Sequence, residues 1–318
     1  MTKRKFSLSD VTVATVVPFQ ENGQIDWDGY RNVLEYCATP EGIGGVFVNG
    51  HAGEGATLTR EERLKIIEVT RDFIGPDRPI MSGIISYGTA EAIAQARDAL
   101  SAGCDIPVIF PSPSFSAGAT LTPDVPVAFV KSIADAVDAP LSIFQYPLAS
   151  GCGYTTETLV ALSRIPNVIA IKEGSDTIMA YEENWRKVKA ASPDVAILPS
   201  NYDWFLPQLA IGGDGILSGL ASLVPHLLVD IWRATQKQDL ASMREINDRL
   251  YPIVRGIYGK PPRMDMHTRI KAGLKHLGVI RCANPRAPLL PVNDAITASI
   301  NEIVDQAGLA RHVGRTGA

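Results

Sequence analysis

The sequence predicts an α/β protein that folds as a (β/α)8 barrel, the TIM-barrel architecture, with a C-terminal helical extension. Three observations support this fold class. Eight short apolar runs recur along the chain, an amphipathic segment follows each run, and the part after residue 237 carries helical patterns alone. Eight βα units within about 225 residues fit a closed parallel barrel better than an open sheet. An open doubly wound sheet is the alternative, because periodicity does not show closure.

The predicted strands are short and almost wholly apolar, as parallel strands are when helices cover both faces of the sheet. They span residues 12–17, 45–49, 80–85, 107–110, 141–146, 168–172, 195–198 and 215–218. The predicted helices that follow them span residues 28–36, 60–73, 89–102, 125–137, 156–164, 177–190, 204–211 and 224–235. Thr59 followed by Glu62 is typical of a capping box, which indicates that the second helix begins there.

The last part of the chain is predicted to be helical throughout. Its three helical patterns cover residues 240–254, 264–277 and 293–306. We therefore divide the chain into a barrel over residues 8–236 and a helical extension over residues 237–310 that packs on the barrel.

Composition excludes several classes of function. Hydrophobic residues make up 46% of the 318 residues, enough for a large core, and the formal net charge is −4. No basic patch predicts nucleic-acid binding, and no apolar stretch has the length of a membrane helix. The four cysteines lack CxxC spacing and fit a reducing, cytoplasmic compartment better than disulfides or a metal site. The five histidines, His51, His226, His267, His276 and His312, also lack metal-ligand spacing.

Lys172 ends the sixth apolar run and is the most informative single residue. A buried ammonium loses hydration, so its pKa falls and part of it is a free amine near neutral pH. A free amine in a dry pocket attacks a ketone and forms a Schiff base. Taken alone, the segment favours a simpler interpretation, in which Lys172 lies just outside the strand and reaches solvent or a carboxylate. The other strand ends change that interpretation.

In a (β/α)8 barrel the chemistry lies at the carboxyl ends of the strands. After the second strand, residues 49–55 form a glycine-rich loop, whose N–H groups suit a carboxylate or phosphate. An ordinary tight loop is the alternative. The other candidates at strand ends are Phe144, Gln145 and Tyr146 after the fifth strand, Ser200, Asn201 and Tyr202 after the seventh, and Ser218 and Gly219 after the eighth.

Taken in order, these segments resemble the dihydrodipicolinate synthase / N-acetylneuraminate lyase family of class I, Schiff-base-forming lyases. The resemblance covers nearly the whole chain. Its segments are residues 14–19, the loop and helix start at 50–54 and 58–63, residues 89–93 and 102–105, Pro147 with Gly151, and residues 171–175 around Lys172.

The resemblance implies a mechanism and a substrate class. Lys172 condenses with the ketone of pyruvate or another 2-oxo acid, and the imine then acts as an electron sink. The loop residues Gly50, Ala52 and Gly53 hold the substrate carboxylate, and the other substrate-binding positions are Phe144, Ser218 and Gly219. No metal or organic cofactor is needed. By the same resemblance we expect a homo-oligomer, a dimer or tetramer.

The chain departs from the family at the positions that move protons and hold the second substrate. The family tyrosine falls on Phe144, whose phenyl ring carries no proton. The two loop threonines fall on His51 and Ala52, and the arginine that holds the second substrate falls on Ala149. The tyrosine that the family's synthases donate across a subunit interface has no counterpart in residues 110–115.

Two residues are candidates for the missing proton relay. His51 is the first, because a histidine ordinarily titrates near neutral pH and can serve as acid and base; a capping or structural histidine is its alternative. Tyr146 lies two residues beyond Phe144 and is expected on the same side of the strand, where it otherwise fills the barrel mouth. Glu173 follows Lys172 and is expected to point the opposite way.

The main functional hypothesis is therefore a class I lyase, an aldolase or dehydratase, acting on a 2-oxo acid. Phe144 and Ala149 disfavour a 4-hydroxy-tetrahydrodipicolinate synthase proper, although it stays an alternative. A degenerate protein that binds a 2-oxo acid as a sensor or scaffold is the alternative of another class. Lys172 speaks against it, because a mere binding site gains little from a buried amine. The pattern does not name the aldehyde half of the substrate.

Overall fold

Eight parallel strands with helices between them form a nearly closed barrel. The structure is a computed structural model that describes residues 6–200, 205–309 and 311. The strands are β1 (Val11–Ala14), β2 (Ile43–Val48), β3 (Ile80–Ile84), β4 (Ile106–Ile109), β5 (Leu141–Phe144), β6 (Val168–Glu173), β7 (Ala196–Pro199) and β8 (Ile216–Ser218). Their order is β7-β6-β5-β4-β3-β2-β1-β8, every paired neighbour is parallel, and β7 contacts β8 across the seam. The predicted barrel is confirmed, and the buried apolar core is formed by its strands together with the helices packed on them.

One helix follows each strand and covers the outside of the barrel. The helices are α1 (Trp27–Ala38), α2 (Arg60–Ile74), α3 (Thr89–Ser101), α4 (Asp124–Ala136), α5 (Thr156–Ser163), α6 (Ile178–Ala191), α7 (Phe205–Ile211) and α8 (Pro225–Gln236). The capping box at α2 is present: the Glu62 amide donates to the Thr59 hydroxyl at 3.2 Å, and the Thr59 amide donates to the Glu62 carboxylate at 2.9 Å. Trp204, predicted to open α7, lies outside the described residues.

The C-terminal extension folds back over the barrel. In the described part it comprises α9 (Leu240–Ile257), α10 (Met266–His276) and α11 (Asp294–Gln306). Helix α9 packs on α8, and α10 packs on α9, α11 and the 3₁₀ turn Gly219–Ser222 that follows β8. Because this turn lies at the carboxyl end of β8, α10 reaches the face of the barrel where chemistry is expected.

Strands β1 and β5 end at least two residues earlier than predicted. Strand β5 stops at Phe144, and the Gln145 side chain that follows pairs with the Tyr154 backbone, donating to its carbonyl at 2.8 Å and accepting from its amide at 3.0 Å. Strand β1 stops at Ala14, and the Val16 amide donates to the Ser222 hydroxyl at 3.3 Å instead of a neighbouring strand. Tyr146 consequently lies in the loop after β5.

Among the described helices, none combines the length and apolarity needed to cross a bilayer. Within the same residues, no three His, Cys, Asp or Glu side chains cluster as metal ligands do.

Candidate active site

A small enclosed cavity lies at the carboxyl ends of the strands. Its volume is about 20 Å³. Side chains from the barrel and from the extension line it together. The described lining residues are Ala14, Phe47, His51, Ala52, Phe144, Lys172, Ser200, Gly219, Tyr258 and His267. The cavity therefore lies where the barrel rule, that chemistry is found at the carboxyl ends of the strands, predicts it. The C-terminal extension adds Tyr258 and His267, which do not follow a barrel strand.

Lys172 ends in this cavity and is 6% exposed. Burial lowers the pKa of its amine to about 7, although the neighbouring Glu173 carboxylate opposes that shift. Its Nζ lies 4.2 Å from the centre of the Phe144 ring, a contact that stabilises the charged form only weakly. A lysine with this pKa is about half free amine at neutral pH, the form that attacks a carbonyl.

Glu173 lies on the other side of β6, as alternation along a strand requires. Its carboxylate accepts hydrogen bonds from the Ser175 hydroxyl and, at 3.0 Å, from the Asn184 side chain on α6. Burial raises the pKa of Glu173 above its usual range. This carboxylate is therefore held between strand and helix, outside the cavity that receives Lys172.

His51 and Tyr146 form a hydrogen-bonded pair beside Lys172. The Nε2 of His51 lies 2.5 Å from the Tyr146 hydroxyl oxygen. Burial, and then the positive charge of Lys172, lower the pKa of His51 to about 4, so the imidazole is neutral near pH 7. The ring lies edge-on to Phe144, with centroids 5.6 Å apart, and to Phe110, with centroids 5.2 Å apart. A neutral imidazole bonded to a phenol can pass a proton in either direction.

The loop after β2 brings His51 and Ala52 to the cavity through a tight turn. Asn49 and Glu54 take positive φ angles of 56° and 52° at its two ends. A Cβ on Gly55 would lie 2.0 Å from the Asn49 carbonyl oxygen, so only glycine permits this approach. Within the described chain, the amide N–H groups of Ala52 and Gly53 meet no hydrogen-bond acceptor. Backbone donors of this kind suit a carboxylate.

The remaining predicted residues divide between cavity and scaffold. Gly219 lines the cavity, whereas the Ser218 hydroxyl accepts from the Leu220 amide at 3.2 Å and caps the turn after β8. Gly50 packs against the Phe47 ring, where a Cβ would lie 2.6 Å from the nearest ring atoms. Asn201 and Tyr202, predicted after the seventh strand, lie outside the described residues.

The site therefore brings together most of the predicted side chains. Lys172, His51, Ala52, Phe144 and Gly219 line one cavity, and Tyr146 joins them through its bond to His51. Gly50 and Gly53 shape the loop that carries His51.

Sequence reasoning missed His267, which enters the cavity from α10. Burial, and then the charges of His51, Lys172 and Lys271, lower the pKa of its imidazole well below the usual range. The helical pattern over residues 264–277 predicted its secondary structure correctly. No local signal marked His267 as a site residue, because it does not follow a barrel strand.

A buried ion-pair network ties the extension to the loop that carries His51. The Lys271 ammonium contacts the Glu54 carboxylate, and both side chains are almost wholly buried. The Arg286 amide donates to the other Glu54 oxygen at 2.7 Å, and its guanidinium bonds both Glu62 oxygens. Both cations lie over the ring of Phe19, at 4.3 and 4.4 Å from its centre. These contacts fix α10 and the loop relative to each other.

The structure thus combines a (β/α)8 barrel with a buried lysine amine at the end of β6. The pattern described as the dihydrodipicolinate synthetase family matches residues 7–307, and the chain belongs to that family. It is 30% identical over 295 residues to the 4-hydroxy-tetrahydrodipicolinate synthase of Methanothrix thermoacetophila, covering 92% of this chain and 94% of the relative. It is also 30% identical to the Koribacter versatilis protein of the same name, over 94% of this chain and 96% of the relative.

Solved structures agree on the fold. The dihydrodipicolinate synthase of Thermotoga maritima has a TM-score of 0.86 at 21% identity, over 95% of this chain and 99% of that chain. The E. coli K12 prophage protein YagE, a member of the same family solved in complex with pyruvate, has a TM-score of 0.85 at 22% identity. That match covers 95% of this chain and 99% of the other.

Proposed function

We propose that this protein is a class I lyase that forms a Schiff base between Lys172 and pyruvate or another 2-oxo acid. The observation that carries the proposal is the Lys172 amine, buried in the cavity at the end of β6 with its pKa lowered to about 7. Membership of the family supports the same reaction class. The pyruvate complex of the family member YagE supports a small 2-oxo acid as the substrate.

The proposed reaction begins when the Lys172 amine adds to the C2 carbonyl of the substrate. The carbinolamine then loses water and gives a protonated imine. The imine draws electrons from C3, which loses either a proton or a carbon substituent, keeps the bonding pair and becomes an enamine carbon. In a dehydratase the enamine then expels hydroxide from the next carbon, C4. Reprotonation and addition of water return the free amine. His51 and Tyr146, 2.5 Å apart, move the protons that these steps require.

The wall of the site suits an apolar or aromatic second half of the substrate. The rings of Phe110 and Phe144 stack with centroids 4.0 Å apart, and Tyr146 lies against Phe144 at 4.9 Å. Ala149, where the family arginine is expected, brings no charge to hold a second carboxylate. An aldolase or dehydratase for an uncharged aldehyde half therefore fits this chain better than one for aspartate semialdehyde.

The second candidate is a 4-hydroxy-tetrahydrodipicolinate synthase proper. The names of the two relatives described above, at 30% identity, favour it. Against it stand Phe144, which lacks the tyrosine hydroxyl, and Ala149, which lacks the arginine charge. Condensation of pyruvate with aspartate semialdehyde separates the two candidates directly.

A panel of 2-oxo acids tests the proposed function. Each acid is incubated with the protein and borohydride, the mass of the intact chain is measured, and the products of the acids that react are then identified. At least one acid should add a single group to the wild type and none to Lys172→Ala. Lys131→Ala, which changes an exposed lysine, should react like the wild type. An adduct of equal yield in Lys172→Ala, or no adduct with any acid, would overturn the proposal.

A further inference from the structure

Ala52 and His267 both line the cavity close to Gly219. A Cβ placed on Gly219 would lie 3.5 Å from the Ala52 methyl and 3.6 Å from the His267 Nε2. The Ala52 side chain offers no polar atom where the family resemblance expects a hydroxyl. The imidazole nitrogen of His267 and the position where that hydroxyl is missing therefore lie near the same residue, Gly219.

The titratable groups that lower the pKa of His267 are all basic. The titratable groups that act on it are His51 from the barrel loop, Lys172 from β6 and Lys271 from its own helix. No carboxylate stands among the described lining residues of the cavity. Glu54, next to Gly53 in the loop, is engaged by Lys271, and Glu173, next to Lys172, is engaged by hydrogen-bond donors from its own loop and α6. An anion that enters would thus be the first negative charge in the cavity.

The extension holds His267 in place through the ion pair described above. His267 and Lys271 are four residues apart on α10 and therefore share one face of the helix. Lys271 contacts Glu54, which belongs to the same loop as Ala52 and Gly53. The helix is in this way fixed against the loop whose unpaired amides also suit a carboxylate.

We propose that His267 is a substrate-binding residue that donates a hydrogen bond to the carboxylate of the 2-oxo acid, in place of the hydroxyl absent at Ala52. The inference rests on the proposed function, because Lys172 captures the carbonyl carbon next to that carboxylate. It assigns part of substrate recognition to the C-terminal extension instead of the barrel alone.

Two ketones that differ only in the carboxylate test this assignment. Pyruvate and acetone both present a methyl ketone to Lys172, but acetone carries a second methyl in place of the carboxylate. The measurement is the ketone concentration that gives half-maximal cyanoborohydride trapping, read from the mass of the intact chain. His267→Ala should raise this concentration about 10- to 100-fold for pyruvate, the loss expected for one hydrogen bond to a charged group, and leave acetone unchanged.

Three further variants sharpen the test. His267→Gln keeps a side-chain N–H and should retain most of the pyruvate affinity. Adding Ala52→Thr to His267→Ala restores a hydroxyl at the loop and should recover part of that affinity. His276→Ala is the matched control, because His276 lies on the same helix but bonds Asp305 at 2.7 Å, away from the cavity.

Each outcome decides the assignment. A selective loss for pyruvate in His267→Ala supports it. An unchanged pyruvate concentration overturns it, and so does an equal loss for pyruvate and acetone, which would show that His267 shapes the cavity around Lys172. If the wild type traps neither ketone nor any other 2-oxo acid of the panel, the proposed function itself fails and the assignment fails with it; trapping in the wild type without a His267 effect refutes the assignment alone.

Discussion

Replacement of Lys172 by methionine measures how strongly the fold disfavours a buried ammonium. The pKa of Lys172 is about 7 instead of 10.5, and each pKa unit corresponds to about 1.36 kcal/mol. Below pH 7 the folded and unfolded chains both carry the proton, so the full cost of about 5 kcal/mol lowers the free energy of unfolding. Between pH 7 and 10.5 only the unfolded chain keeps the proton, so the cost disappears as the pH rises.

Lys172→Met should therefore be more stable than the wild type at pH 6, and its advantage should shrink by about 2.5 kcal/mol at pH 9. Urea unfolding at the two pH values measures this difference, and the pH-independent packing of the methionine cancels. Lys131→Met is the control, because the Lys131 side chain is 62% exposed and its effect should stay within about 0.5 kcal/mol at both values. The same advantage for Lys172→Met at pH 6 and pH 9 would refute the buried, titrating amine.

Further predictions concern the proton relay, the second substrate and the ion pair. On any active substrate, His51→Ala should leave imine trapping largely intact and lower turnover about 10²- to 10⁴-fold. If Tyr146 carries the proton instead, Tyr146→Phe should show this loss and His51→Ala a mild one; near-normal turnover in both would exclude the pair. Condensation of pyruvate with aspartate semialdehyde should be poor, because Ala149 brings no charge; turnover near the common enzyme value of about 10 s⁻¹ would contradict this. Lys271→Met should lower the free energy of unfolding in urea by about 3–5 kcal/mol, because it leaves Glu54 buried without its cation. The double variant Glu54→Gln, Lys271→Met should be less destabilised than Lys271→Met, and an equal loss would show that the charge of Glu54 is irrelevant.

The fold was predictable because strand and helix signals are local. A short apolar run is enough to predict a buried parallel strand, and two residues, Thr59 and Glu62, are enough to predict where α2 begins. The ends of β1 and β5 were placed too late, because apolar or aromatic residues continue after them, whereas the Val16 amide and the Gln145 side chain bond groups outside the sheet. The Val16 amide donates to the Ser222 hydroxyl, and the Gln145 side chain accepts from the Tyr154 amide. The apolar pattern of the strands indicates neither partner.

The candidate site was predictable as far as the barrel rule extends. That rule led to Lys172 and His51, because each lies at the carboxyl end of a strand, and both line the cavity. It could not lead to His267, whose place depends on how α10 packs beside β8. The Glu54–Lys271 pair joins residues 217 positions apart, so neither the local sequence nor the barrel rule predicted it. The division of the chain at residue 236 and the catalytic roles of the site residues stay predictions.

Peptide mapping of the reduced pyruvate adduct tests the central role of Lys172 most directly. Lys172 and Lys271 are both buried, but Lys271 is paired with Glu54, whereas Lys172 ends in the cavity. After incubation with pyruvate and borohydride, the chain is digested and the mass of each lysine-containing peptide is measured by mass spectrometry. We expect one pyruvate-derived group, on Lys172 alone. An adduct on Lys271 or on exposed lysines, with Lys172 unmodified, would contradict the proposed Schiff-base chemistry.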